Sequence, residues 1–450
     1  MTTAPVGSNT ADWLEFLELA TFRGGFNATI VTVGTMMLGI AAGVVGVFAL
    51  LRRRSLVADA LSHATLPGIA IAFMISILLG GDGRSLPLLL AGAAASGVAG
   101  VLAIQALGRW TRLREDASIA IVLSVFFGAG VVLLSWIQAN EPSSSAGLDH
   151  FIYGRTASML PSDAWTMVLL AIVTVTLTTT LRREFGLACF DRDFAVSTGW
   201  PVGLIDLAML GLVVLVTVAG LQAVGIVLVV AMIVIPPVAA RFWTDRLWVL
   251  LVLSGTLGGV GGWFGAVISA GFPNQPAGAV IVLSTGAVFA ISMLLAPRRG
   301  VVAIALRRFA LRIRMESDHV LEAAWDHAGG QGTSSPNLDP DMLQEIARDR
   351  GWTRVFKGCV RLSLRRSRMI EMTTEGTVRL TAAGRRRGAT VARNHLLWEQ
   401  YLTTHADVAP NHVDWSVDQV EHVLSTELVT SLEETLVAEG VEIPPRETSP

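Results

Sequence analysis

The sequence predicts an all-α polytopic membrane domain with about nine transmembrane helices, followed by a cytosolic winged helix-turn-helix and a further helical domain. Three observations predict it. Hydrophobic residues fill 52% of the 450 positions, glycines number 44 and mean hydropathy is +0.57, a composition of polytopic membrane proteins and not of soluble enzymes. That average hides a division: charge is confined to short loops up to about residue 300, while residues 307–450 are dense in Arg, Asp and Glu. Within the first part, apolar runs near the ~20 residues that span a bilayer recur along the chain. The formal net charge of −2 sums an apolar and a polar half, so it says little about partners.

Residues 1–28 carry Asp12, Glu15, Glu18 and Arg23 and lack the basic start and short apolar core of a cleavable signal, so the first span is expected to do the targeting. Spans are expected at about 29–51, 60–80, 86–107, 117–138, 163–181, 202–221, 223–240, 247–268 and 277–296, with a very short turn at residues 220–223 between the sixth and seventh. Basic loops stay in the cytoplasm. Alternating spans put Arg52, Arg53, Arg54, Arg109, Arg112, Arg114, Arg182, Arg183, Arg192, Arg241, Arg246, Arg298 and Arg299 on one side, and only Arg23, Arg84 and Arg155 on the other. The N-terminus is then outside and the C-terminal domain inside the cell membrane. Cys189 and Cys359 fall in segments placed in the cytoplasm and imply no disulfide framework.

The second span holds the least expected residues. In LVADALSHATLPGIAIAF, residues 56–73, Asp59 and His63 are four apart and share one helix face. Ionisable side chains in a bilayer are costly and face a pathway or an interior partner. One carboxylate and one imidazole suit a divalent transition metal; a hydrogen-bonded pair locking two helices is the alternative. Pro67 and Gly68 interrupt the helix, which must then line a cavity or be covered by protein.

Further along, Gly92, Ser96 and Gly100 form a small-residue strip that admits a close neighbour. Glycines 255, 258, 259, 261, 262 and 265 imply tight packing of the eighth span. The external loop 139–160 offers Asp149, His150 and Tyr153, which carry no specific assignment. The loop RREFGLACFDRDFAVSTG, residues 182–199, is short and amphipathic, fitting either a cytoplasmic partner or an interfacial helix. No GxxxxGK[ST] occurs, so energy for active transport would come from another subunit.

Beyond residue 300, VVAIALRRFALRIRM reads as a basic amphipathic helix offering Arg307, Arg308, Arg312 and Arg314 to anionic membrane lipid. Helices are expected over 318–327, 339–347 (Asp339 capping, Pro340 in the first turn) and 351–368, then two strands around Glu375 and Gly376. Three helices and a hairpin describe a winged helix-turn-helix. On the third helix Arg354, Lys357, Arg361, Arg365 and Arg368 form a basic stripe, and Lys357 is the only lysine. The stripe fits nucleic-acid phosphates, the inner leaflet or plain solvent. Residues 382–404 place His395 and Glu399 four apart, and 416–425 place Asp418, Glu421 and His422 on one face, donor sets that suit a divalent cation. The expected domains are 1–300 (membrane), 301–316 (linker helix), 317–381 (winged helix) and 382–450 (helical).

The segments LRRRSLVADALSHATLPGIAIAF, FDRDFAVSTGWPV and AVGIVLVVAMIVIPPVAARFW, in that order, resemble the membrane permease of manganese, zinc and iron ABC importers over about residues 25–300. The resemblance implies a transport subunit with no catalytic residues of its own. It implies a homodimeric or heterodimeric permease, ABC ATPase subunits docked near Phe190 to Gly199, and an extracellular metal-binding protein. It also implies that Asp59 and His63 line the metal path. Residues 317–435, notably LTAAGRRRGATVARNHLLWEQYL and VDQVEHVLS, resemble the iron- and manganese-dependent repressors of the diphtheria toxin repressor family.

By that resemblance the 382–450 domain binds metal and dimerises. His395, Glu421 and His422 match family metal ligands, Glu399 matches an acidic ancillary ligand, and Asp418 stands where members carry cysteine or glutamate. Glu322 matches an acidic first-helix ligand of manganese-type members, and His319 falls at the other first-helix position. Asp414 stands where the family carries an ancillary-site histidine, and the family's third domain is not expected within these 450 residues. An oxygen donor at 418 favours Mn2+ over Zn2+ or Fe2+. The expectation is a divalent-metal permease with a cytosolic metal-sensing domain. Its rivals are a membrane-tethered, metal-dependent DNA-binding regulator and a permease for a metal chelate such as a siderophore.

Overall fold

The computed structural model describes residues 13–52, 55–80, 85–140, 156–272, 275–327, 337–338, 340–372, 378–405 and 426–438. The chain divides into two compact units, Met1–Ala303 and Ile304–Pro450. The first contains α1 (Trp13–Ala20), α2 (Phe26–Leu51), α3 (Ser55–Ala64), α4 (Leu66–Leu78), α5 (Leu86–Trp110), α6 (Glu115–Asn140) and α7 (Pro161–Thr180). Two short helices follow, α8 (Arg182–Phe190) and α9 (Arg192–Ser197), and then α10 (Val202–Val224), α11 (Ile226–Arg241), α12 (Leu247–Gly271) and α13 (Ala277–Leu295).

Among the described residues, eight helical stretches are long and apolar enough to cross a membrane, α3 and α4 counting together as Val57–Leu78. The expected seventh span is instead the 16-residue α11, whose ~24 Å length at 1.5 Å per residue falls short of a ~30 Å hydrocarbon core. The turn before it also differs from expectation. It lies at Gly225, with φ +83°, a conformation that only glycine adopts without a steric cost. Gly220 stays inside α10, where a Cβ would meet the Val229 side chain at 2.6 Å. The 182–199 loop forms two helices rather than one, broken at Asp191, whose carboxylate caps α9 by accepting from the Phe194 amide at 2.9 Å.

α2 is the hub of this unit and packs most extensively on α12. Gly39 and Gly258 face each other so closely that a Cβ on either would strike the other's backbone. Ser254 Oγ donates to Gly43 O at 2.6 Å, and Thr35 Oγ1 to Gly262 O at 3.2 Å. This is the expected use of the glycine-rich span: where lipid is as apolar as a side chain, close backbone approach and interhelical hydrogen bonds hold helices together. The strip of Gly92, Ser96 and Gly100 on α5 serves the α3–α4 break in the same way. Gly92 abuts Gly68, and Gly100 lies against Ala64.

In the second unit α14 (Val301–His327) starts at the boundary and is one continuous helix, where the sequence reading separated a linker helix from the first helix of the soluble domain. Then come β1 (Asn337–Leu338), α15 (Pro340–Asp349), α16 (Arg354–Arg366), β2 (Ile370–Met372), β3 (Val378–Leu380), α17 (Ala382–His405) and α18 (Thr426–Ala438). The expected hairpin pairs Ile370 with Leu380 and Met372 with Val378, antiparallel. An unforeseen strand, β1, joins its other edge in the order β1-β3-β2. The core gathers Val320, Leu321 and Ala324 of α14, Phe356, Val360 and Leu364 of α16, and Ile370, Val378 and Leu380 of the sheet. α16 starts at Arg354, after its cap Thr353, three residues later than the sequence suggests, and ends at Arg366, two residues earlier. Its basic face is exposed at Arg354, Arg361 and Arg365 and half-buried at Lys357, whereas Arg368, expected to continue the stripe, lies two residues past the helix end with φ +54°. Asp339 and residues 373–377 lie outside the described residues.

Candidate functional site

In α3, Val57, Ala58, Ala60, Leu61, Ser62 and Ala64 are fully buried. Asp59 and His63 break that pattern, with 40% and 25% of their side chains accessible. Their separation is 3.5 Å from His63 Nε2 to Asp59 Oδ1, and the His63 ring lies edge-on to Phe127 of α6 at 4.8 Å between centroids. His63 Nδ1 is buried with no hydrogen-bond partner among the described residues. The two polar side chains thus share a gap in an otherwise sealed helix.

The helix break beside them is satisfied by protein. Pro67 brings no N–H to the turn, and α4 begins at Leu66. Ser96 Oγ donates to Ala64 O at 2.6 Å, so α5 covers the carbonyl at the break. The glycine contacts of α5 make that approach close enough.

The second unit contains a cleft of about 510 Å3 whose lining includes His319, Glu322 and Asp326 of α14 and His395 and Glu399 of α17. Glu322 stands between two imidazoles, with Oε2 3.6 Å from His319 Nδ1 and Oε1 3.3 Å from His395 Nδ1. Asp326 was not identified in the sequence reading. It lies four residues after Glu322 and seven after His319, a helical spacing that was legible but left unused. Burial, and then the Glu322 charge, raise the Asp326 carboxyl above its ordinary range, against the opposing influence of His395.

Ion pairs fix the two helices, α14 and α17, that line the cleft. Arg387 of α17 donates from Nε and Nη2 to the two carboxylate oxygens of Asp318 at 2.8 and 2.6 Å. The hydrogen bond to Asp318 raises the Arg387 pKa beyond its already high value. Gly388 lets the helices close, because a Cβ there would come within 2.5 Å of Leu321 O. Arg393 reaches Glu433 of α18 at 2.5 Å.

Asp418, Glu421 and His422, like Asp414, Asp149, His150 and Tyr153, lie outside the described residues. Among the described residues no three His, Cys, Asp or Glu side chains converge tightly enough to hold an ion. The cleft nonetheless suits a divalent cation by its donors: two imidazoles and four carboxylates, Asp349 of α15 included, with the Asp326 carboxyl biased toward its neutral form by burial and then by the Glu322 charge.

An apolar helical bundle with a small carboxylate–imidazole opening in one span, carrying a winged, helix-rich second unit, defines a membrane transport subunit with an appended regulator-type domain. The chain belongs to the ABC 3 transport family, which it matches over residues 27–296. Residues 381–437 match the iron dependent repressor metal binding and dimerisation domain. The chain is 34% identical over 391 residues to the manganese transport system membrane protein MntC of Bacillus subtilis, covering 85% of this chain and 86% of that one. To the zinc transport system membrane protein TroC of Treponema pallidum it is 40% identical, over 64% of this chain and 94% of that one. Among solved structures, PsaBC from Streptococcus pneumoniae in complex with Fab shares the fold with a TM-score of 0.53 at 28% identity, over 64% of this chain and 98% of that chain.

Proposed function

We propose that the chain is the permease of an ATP-driven importer of divalent metal ions, manganese above zinc or iron, with a cytosolic domain that senses the imported ion. The observation carrying this reading is the opening at Asp59 and His63 in the otherwise buried α3. Two donors suffice to replace part of an ion's hydration without trapping it, which a conducting site needs. The names of the manganese and zinc relatives support the cargo class. An oxygen donor at Asp418 favours the harder ion.

In this reading the N-terminus faces outward and the second unit the cytoplasm of the cell membrane, following the arginine asymmetry. Two permease chains pair, identical or not, and an extracellular metal-binding protein delivers the ion. ATPase subunits dock where α8 and α9 expose Phe190, Phe194 and Val196, with Trp200 beside them. ATP-driven closure moves that surface, the helices rock, and the ion passes the Asp59/His63 level. Cytosolic metal held by His319, Glu322, His395, Glu399, Asp418, Glu421 and His422 then shifts the second unit and slows uptake, a coupling between two sites.

Uptake of radioactive manganese into vesicles preloaded with manganese, by wild type and His422→Ala, tests both halves. Preloading is expected to slow the wild type and not the variant; equal slowing in both, or none in either, removes the feedback. Specific, metal-dependent binding of the full chain to a palindromic duplex would favour a tethered DNA-binding regulator instead, for which the exposed basic face of α16 is the suited surface. Uptake of a siderophore complex unaffected by Asp59→Ala would favour a chelate permease.

A further inference from the structure

Among the described residues, the membrane unit holds one buried carboxylate that neither the metal path nor the docking surface uses. Asp206, in the second turn of α10, is 5% exposed. It pairs with Arg52, which caps the end of α2 and is itself largely buried. Arg192, the first residue of α9, stands 4.0 Å from the other oxygen of the same carboxylate, and its side chain is 57% exposed. One acid therefore faces two guanidinium groups, one in close contact and one just beyond hydrogen-bond reach.

The positions of these cations give the arrangement its meaning. Arg192 belongs to the segment that offers its apolar side chains to the ATPase. Arg52 precedes α3 by three residues and Asp59 by seven. The surrounding contacts are apolar: Phe48 of α2 meets Phe185 of α8 edge-to-face at 5.0 Å, and Cys189 Sγ lies 4.0 Å from Met209 Sδ of α10. Such contacts tolerate small slides. A buried carboxylate does not, because a cation drawn away must be replaced by another.

We propose that Asp206 is the coupling residue between ATPase movement and the metal path, resting on the importer reading above. When the docking segment moves, Arg192 closes onto Asp206 and shares its charge. The hold on Arg52 loosens, and the α2–α3 junction is freed to move the Asp59/His63 helix. Asp206 acts through its neighbours and touches no ion.

The test is the number of manganese ions taken up per ATP hydrolysed by the full chain reconstituted with its ATPase in proteoliposomes, for wild type, Asp206→Asn and Asp206→Glu. Asp206→Asn is expected to keep at least half of the ATPase rate while ions per ATP fall at least fivefold, and Asp206→Glu to recover most of that ratio. A parallel fall of both rates at constant ratio would make Asp206 merely structural and overturn the proposal, as would an unchanged ratio. Should Asp206→Asn fail to assemble, Arg192→Gln, which leaves the Arg52 pair in place, decides: its ratio must fall at least twofold, and an unaltered ratio refutes the coupling. If the wild-type complex shows no ATP-driven uptake at all, the importer reading fails and the coupling fails with it.

Discussion

The two places where candidate metal-ligand side chains gather differ in the number of donors and in how firmly those donors are held. In the membrane unit, one helix presents two donors, Asp59 and His63, through a gap, and the His63 ring lies edge-on to Phe127 of α6. In the second unit, α14 and α17 present five donors to one cleft that Asp349 of α15 also lines, and a bidentate Arg387–Asp318 pair and the Gly388 contact lock those two helices together. A site that must release its ion within each cycle gains from few donors, whereas one that reports a standing concentration gains from many, preorganised ones. In the proposed function the same side-chain chemistry serves passage in one unit and retention in the other.

The comparison breaks most easily at the membrane pair. Asp59→Ala or His63→Ala is expected to reduce manganese uptake to the level of empty liposomes while manganese binding to the second unit, read by calorimetry, stays within about twofold, since distant sites are nearly independent. Loss of cytosolic binding as well would merge the two sites into one. Next in size is the clamp. Removing one partner of a buried ion pair costs about 3–5 kcal/mol, and Arg387 is partly exposed, so Arg387→Ala is expected to cost about 3 kcal/mol. The readout is faster hydrogen exchange of α14 and α17 amides in the full chain, with initial uptake unchanged.

A third change sharpens the retention side. Manganese at about 100 times its dissociation constant stabilises the domain by about 2.7 kcal/mol, and His395→Ala is expected to abolish most of that gain in a thermal melt while leaving the metal-free melt within a few degrees. Gly388→Ala places a methyl against Leu321 O and is expected to cost about 1–3 kcal/mol through overpacking, with weaker metal protection of the same amides.

The smallest effect is at Asp326. Its carboxyl holds a proton to higher pH in the folded cleft than in the unfolded chain, so it withdraws stability as pH rises from the ordinary carboxylate range through the folded value. Asp326→Asn is therefore expected to stabilise the metal-free protein slightly at neutral pH and flatten its melting temperature against pH across that window. An unchanged pH profile would mean that Asp326 does not feel the cleft.

Much of this was legible because it is local. Apolar run length placed eight of the long spans, i+4 spacing paired Asp59 with His63, and alternation around Glu375 and Gly376 gave the hairpin. What escaped depends on contacts distant in sequence. β1 has two residues and exists only by pairing with β3. Arg52 reads as one of many loop arginines, and Asp206, 154 positions later, gains its meaning only from the α2 end folded against it. The Gly220 turn was misplaced because a glycine at a close helix contact and a glycine at a left-handed turn look alike in sequence; only Gly225 has the positive φ. Asp326 had the right spacing, but a charge on a helix is usually a solvated one.

The basic face of α16 has a practical consequence. Its half-buried Lys357 is the only side-chain amine in the chain, every other basic residue being arginine or histidine. An amine-reactive fluorophore would therefore mark this one face, apart from the N-terminus, without any engineered cysteine. The labelling rate then becomes a footprint, dropping when duplex, bilayer or protein covers the stripe and holding steady when only water does.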